Sequence, residues 1–323
     1  MSRERLLRFA RADNVGLAAI LLLAIMTLTL ANHAFLTPFN LYVVLTSVAL
    51  WTCVALAQMT TLAIGQMSLS VGSLGGLVAI TVGGLCELWG VPLPTAILVG
   101  LAVGLAGGLL NGVLIATSGI NSFIITLGTL SAFHGLNLGL TRAIPLYHMP
   151  DALKALGNAR FGAIPLMLGI VLVVAFAVHI LFTRTRIGRH MLAYGGNAQA
   201  TLLSGLSTKR VVIFAHGLSG LLAAIAAILT VGRLQIAQPT IGEDWLIVSF
   251  AAPIIGGAAL TGGYVSVPGT LLALALLAVI NDALVLLGVD PFWVQVVLGC
   301  LILAVVGANR LREGRRLGEA VAR

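Results

Sequence analysis

Long apolar runs separated by short polar segments dominate the pattern of this chain. A helix needs about 20 mostly apolar residues to cross a bilayer. Ten runs qualify, at roughly 15–36, 41–64, 72–89, 94–116, 122–140, 163–182, 211–232, 245–261, 267–287 and 292–308. Glycine dilutes the third, fourth and eighth. The runs do not alternate apolar with polar residues, as barrel strands do, so they predict an all-α polytopic membrane protein. The organisation that follows is a tail over 1–14, a transmembrane unit over 15–308 and a basic tail over 309–323. Three longer polar segments interrupt the unit, at 141–162, 183–210 and 233–244. The first is expected to hold a short helix near 150–157.

Composition sharpens this picture. The 323 residues are 59% hydrophobic and 9% charged, whereas soluble domains carry about 25% charged residues. The net charge of +8 does not point to nucleic acid, because the basic residues lie between apolar runs, where topology accounts for them. With ten spans, fourteen of the 18 Lys and Arg fall on the side of the N-terminus and four (Arg142, Lys154, Arg160 and Arg233) on the other. The positive-inside rule then places both termini and segment 183–210 in the cytoplasm, with 141–162 and 233–244 outside. The first apolar run is too long for a signal-peptide core and is read as a span. Trp89 and Trp245 are expected as interfacial anchors. Cys53, Cys86 and Cys300 lie in apolar stretches without metal spacing, and His33, His134, His179 and His216 are scattered. No metal or cofactor site is expected.

Several polar or glycine-rich stretches interrupt the spans. Gly100, Gly104, Gly108 and Gly112 form a stripe that suits close helix packing. Asn111 beside it either bonds a neighbouring helix or lines a pathway. The stretch IGQMSLSVGS over 64–73 places Gln66, Ser68 and Ser70 in a glycine-flanked break, read either as a plain turn or as part of a pathway. Gln58, Gln295, Thr126 and Asn121 are weaker polar candidates, for which a structural role is the leading reading. Asn281 and Asp282 lie within the ninth span, and an acid there requires a cavity or a partner. No G-x-x-x-x-G-K-[ST], H-E-x-x-H or G-x-S-x-G occurs, so no catalytic role is expected. Segment 183–210 reads as helix, break, helix. Gly195-Gly196-Asn197 is the turn signal and Asn197 caps a helix from about Ala198 to Leu203. Met191, Leu192, Leu202 and Leu203 give this element an apolar face, suited to lipid or to a partner's groove.

The insert resembles the cytoplasmic loop of the ribose/xylose/galactose-type permeases of bacterial ABC importers. The resemblance rests on Thr185-Arg186-Ile187-Gly188-Arg189, then Ala193, Gly195, Gly196, Asn197, Ala200, Ser204 and Gly205. It continues in Leu69-Ser70-Val71-Gly72-Ser73, Asn111-Gly112, Phe123 through Thr129, Ile280-Asn281 and Pro291-Phe292-Trp293, in family order from about residue 40 to 308. The resemblance implies a non-catalytic permease subunit of the bacterial inner (plasma) membrane. Its partners would be an ATP-binding cassette ATPase carrying the ATP and Mg, a periplasmic binding protein, and a second permease subunit, identical or paralogous. The coupling element would be Arg186, Gly188, Ala193, Gly195, Gly196, Asn197, Leu202, Leu203, Ser204 and Gly205. The translocation pathway would draw on Gln66, Ser68, Ser70, Asn111, Thr126, Asn281 and Asp282, and Glu243 and Asp244 would face the binding protein. Ser68, Gln66, Ser122 and Asp282 depart from the family's usual Asp, Gly, Pro and Asn, which leaves the solute open among sugars and related molecules. Two other readings compete: an ion-coupled secondary transporter using Asp282, and a membrane scaffold.

Overall fold

The computed structural model describes residues 3–290 together with 293, 295–297, 299, 300, 303 and 307, with side chains from residue 14 on. The expected tenth span (292–308) lies largely outside the described residues, as does all of the tail 309–323. The nine remaining spans are all present as helices. Seven are long and apolar enough to cross a membrane and two are shorter.

Local chemistry sets their ends. α1 (Arg3–Ala31) leads to Thr37, whose hydroxyl accepts from the Asn40 amide and opens α2 (Pro38–Leu62), with proline in its first turn. α3 (Val71–Glu87) is followed by α4 (Leu93–Ser118), which stops at Gly119 in the left-handed conformation. Asn121 caps α5 (Ser122–Thr141). The expected short helix is α6 (Asp151–Asn158), followed by the strand pair β1 (Arg160–Phe161) and β2 (Ile164–Pro165). Then come α7 (Leu166–Arg184), α8 (Arg186–Gly196), α9 (Ala198–Leu203), α10 (Thr208–Leu234), α11 (Trp245–Ile255) and α12 (Val267–Leu286).

The core forms around α10, which packs against α2, α3, α4 and α6. The glycine stripe is the contact with α4: a methyl on Gly104 would meet Ala224 and Gly220, and one on Gly108 would strike His216 and Gly220. At this interface two backbones approach where side chains would hold them apart. α1 is peripheral and packs against α12.

Two spans are incomplete as helices. α3 runs antiparallel to α4, with Leu74 on Gly107 and Val82 on Gly100. It therefore begins about two turns, roughly 12 Å, short of the α4 end at Ser118, and irregular chain over 63–70 fills the gap. The expected span 245–261 is corrected more strongly. Only Trp245–Ile255 is helical, about 16 Å long at 1.5 Å per residue and too short to cross alone. Segment 233–244, expected as an outer loop, supplies the rest. Ala237 lies against Gly83, Ile241 against Gly76 and Gly242 against Gly72, so the segment descends beside most of α3. Leu146 and Ala237 exchange both backbone bonds at its upper end, at 2.8 and 2.9 Å. Trp245 is consequently no interfacial anchor. It is 6% exposed with its indole against Gly75.

Candidate functional site: a polar break between two clefts

An irregular chain inside a membrane protein needs partners for its backbone, because lipid offers none. The break at 63–70 finds them on α2 and α5, while α4 and α10 bond its side chains. The Gln58 amide, oriented so that donors meet acceptors, brackets Ser68: Nε2 donates to the Ser68 carbonyl at 2.9 Å and Oε1 accepts from its amide at 3.3 Å. Ser122 Oγ accepts from the Met67 amide at 3.3 Å, and Thr126 Oγ1 accepts from the Leu69 amide at 3.1 Å. Asn111 Nδ2 donates to Ser70 Oγ at 2.8 Å, and Ser70 Oγ lies 3.5 Å from Ser68 Oγ. Gln66 Oε1 and His216 Nε2 are 2.9 Å apart.

Five of the expected pathway residues, Gln66, Ser68, Ser70, Asn111 and Thr126, thus converge on one structure. All but Gln66 are buried. Asn281 and Asp282 do not join them. Asp282 is buried four residues before the far end of α12, where its Oδ2 accepts from Asn40 Nδ2 at 2.7 Å. Gln58, a weaker candidate from the sequence, Ser122, one of the departures from the family pattern, and His216, which the sequence left scattered, complete the cluster. The sequence signal at Gln58 is an amide inside an apolar run, and the structure buries it fully.

Clefts flank the break. On the face of the insert, a cavity of about 360 Å³ is lined by Gly65, Gln66, Asn121, Ser122, Tyr194 and Lys209, among others. Toward the opposite face, one of about 440 Å³ runs from Thr230 and Leu234 past Trp51 and Gln238 to Glu243 and Asp244. A third, of about 250 Å³, includes Leu69, Ser73, His134 and Glu243.

The insert is built on the same foundation. Thr185 Oγ1 accepts from the Gly188 amide at 3.1 Å and donates to the Leu181 carbonyl at 2.7 Å, turning α7 into α8. The helix continues through Gly195 and Gly196, so the break falls at Asn197 alone. Asn197 Oδ1 accepts from the Ala200 amide at 2.9 Å and caps α9 as expected. Gly205, at φ 78°, ends α9. Gly195 lies against the Ala63 carbonyl and the Gly263 amide, themselves hydrogen-bonded at 3.0 Å. The apolar face divides: Met191 and Leu192 pack inward, whereas Leu202 and Leu203 are 59% and 83% exposed. Arg186, Ala193, Gly196, Asn197, Ser204 and Gly205 are also at the surface, and Gly188 is buried beneath Leu181.

Comparison with known proteins matches this arrangement to transport. A family profile described as branched-chain amino acid transport system / permease component matches residues 40–306. The ribose import permease RbsC of Bacillus subtilis is 35% identical over 296 residues, covering 91% of each chain. The L-arabinose ABC transporter permease AraH of Azospirillum brasilense is 32% identical, over 93% of this chain and 88% of its own. The autoinducer 2 import permease LsrD of Salmonella paratyphi B is 33% identical over 90% of both.

Proposed function

The chain belongs to this family of ABC transporter permease components, and from that premise we propose that it carries a sugar or sugar-like solute inward across the bacterial inner membrane. The names of its relatives support the solute class: ribose, L-arabinose and autoinducer 2. The face of the insert is cytoplasmic in this reading, in keeping with its basic residues. A periplasmic binding protein delivers solute to the opposite face. A second permease subunit, identical or paralogous, completes the pore within the lipid bilayer. The chain performs no reaction; a separate cassette ATPase binds ATP and Mg.

One observation carries the reading. Leu202 and Leu203 stand exposed on an insert whose other end is packed, through Gly195, against the base of the polar break. A partner that grips the two leucines can move the break, because only Gly196, the capped turn at Asn197 and the short helix α9, about a turn and a half long, separate them from Gly195. ATP binding then shifts the population of break positions by its differential affinity for them. No observation favours the ion-coupled reading, since Asp282 is tied to Asn40 away from the break.

The test is purification of the tagged chain in mild detergent from its host. Wild type is expected to bring a cassette ATPase with it. Leu202→Asp with Leu203→Asp is expected to lose that subunit while keeping wild-type thermal stability, because both side chains are exposed. A variant that retains the ATPase in full would refute the docking role.

A further inference from the structure

Glu243 and Asp244 read as outer-loop acids, but the fold carries them inward. Glu243 follows Gly242, which lies against Gly72 near the inner start of α3. Its Oε1 is 3.7 Å from His134 Nδ1. His134 is twelve residues into α5, roughly 18 Å from the Ser122 end, and seven residues from the other end. The pair therefore sits well inside the transmembrane body. Even so, the Glu243 side chain is 54% exposed and that of His134 is 39% exposed.

A carboxylate at that depth cannot face hydrocarbon without a large cost, and it is tolerated beside water or protein. The backbone imposes the same condition. Residues 238–245 form successive turns, with Ile241 N donating to Gln238 O, Glu243 N to Thr240 O and Trp245 N to Gly242 O, at 3.1 to 3.2 Å. Such irregular chain persists at membrane depth only inside protein or along a water-filled cavity. Glu243 belongs to both of the outer clefts. The larger also presents Gln238, Thr240 and Thr230 as hydrogen-bonding groups and Trp51 as an aromatic surface.

Resting on the permease reading above, we infer that the descending segment Gln238–Trp245, with Glu243 facing His134 of α5, is a solute-binding station for a neutral polyhydroxylated molecule part-way through the membrane. Glu243 accepts hydrogen bonds from solute hydroxyls, the charge-assisted kind that is strongest, and His134 orients its carboxylate. Gln238 and Thr240 add neutral donors and acceptors, and Trp51 offers an apolar wall, the mixture of surfaces that small-molecule sites use.

The test uses the complete importer with Cys53, Cys86 and Cys300 replaced by alanine. Glu243→Cys is exposed to a charged, membrane-impermeant thiol reagent applied from the face opposite the insert. Val173→Cys, 70% exposed on the apolar surface of α7, is the lipid-facing control. Glu243→Cys is expected to react at least tenfold faster than the control. Glu243→Gln and Glu243→Ala are expected to lower uptake of D-ribose or L-arabinose at least tenfold with the ATPase still bound, and Glu243→Asp to recover part of it. Labelling no faster than at Val173, or uptake within twofold of wild type, overturns the station. If the wild-type importer takes up neither sugar, ribose and arabinose are excluded as its solutes while the permease reading stands, and labelling of Glu243→Cys no faster than that of Val173→Cys still overturns the station.

Discussion

Replacing Gly195 with alanine tests how firmly the insert is seated. Helix propensity alone says that Gly→Ala within α8 stabilises by up to about 1 kcal/mol. The same gain applies to Gly196, one residue on, and neither glycine has a positive φ that alanine would resist. Their surroundings differ. Around Gly196 a methyl meets nothing within 4 Å, whereas at Gly195 it runs into the Ala63 carbonyl and the Gly263 amide. Both obstacles are backbone and bond each other at 3.0 Å, so neither swings aside as a side chain would. Overpacking of this kind costs about 1–3 kcal/mol, and parting the bond adds about 1 kcal/mol. Set against the propensity gain, the net is about 2 kcal/mol, or roughly a thirty-fold fall in the seated population. The readouts are tryptic cleavage at the exposed Arg186 and Arg189 and sugar uptake by the reconstituted importer. Gly195→Ala is expected to be cut faster and to transport less per ATP hydrolysed, and Gly196→Ala to match wild type or be cut more slowly. Equal behaviour of the two variants would refute the steric argument and leave α8 free of the break.

Two other substitutions probe the polar interior. Gln58→Leu strands the buried amide and carbonyl of Ser68; with about 1–3 kcal/mol for each unsatisfied group, a lower Tm in detergent is expected, and an unchanged Tm would show that the break finds its bonds elsewhere. Asp282→Asn is expected to keep uptake within twofold of wild type, and loss of uptake on dissipating an ion gradient would reopen the ion-coupled reading.

Much of this was legible in the sequence because the signals were local. Apolar runs located nine described helices, and the hydrogen-bonding habit of Asn197 located the start of α9 within a polar insert. The convergence of Ser70, Asn111 and Thr126 was foreshadowed only as separate polar positions, since nothing in a run of residues tells which helices meet. The descent of 235–244 was hidden by the same hydropathy that served elsewhere. Gln238, Thr240, Glu243 and Asp244 read as solvent-exposed loop, whereas the glycines that admit the segment lie more than 150 residues earlier, in α3. Gly72, Gly76 and Gly83 read as diluting a span, but they form the groove into which a second piece of chain fits. Trp245 was misplaced for the same reason: its partner is Gly75.

The first turn of α3, just past the break from one face, meets the irregular segment from the other face backbone to backbone at Gly72 and Gly242. Between the cleft that reaches Gln66 and the clefts that reach Glu243, the insulation of the membrane is reduced to a few residues of chain. With water in the clefts, as the station inferred above requires, most of the membrane voltage would fall across that short septum rather than across the full hydrocarbon thickness. A resting potential of about 100 mV carries about 2.3 kcal/mol for each elementary charge that crosses it. An ion at the septum would feel nearly all of that within a few ångström, whereas an uncharged sugar would feel none. A seal this thin opens with a small movement. It also makes charge leakage, rather than the work of moving solute, the hazard against which the tight Gly72–Gly242 contact guards.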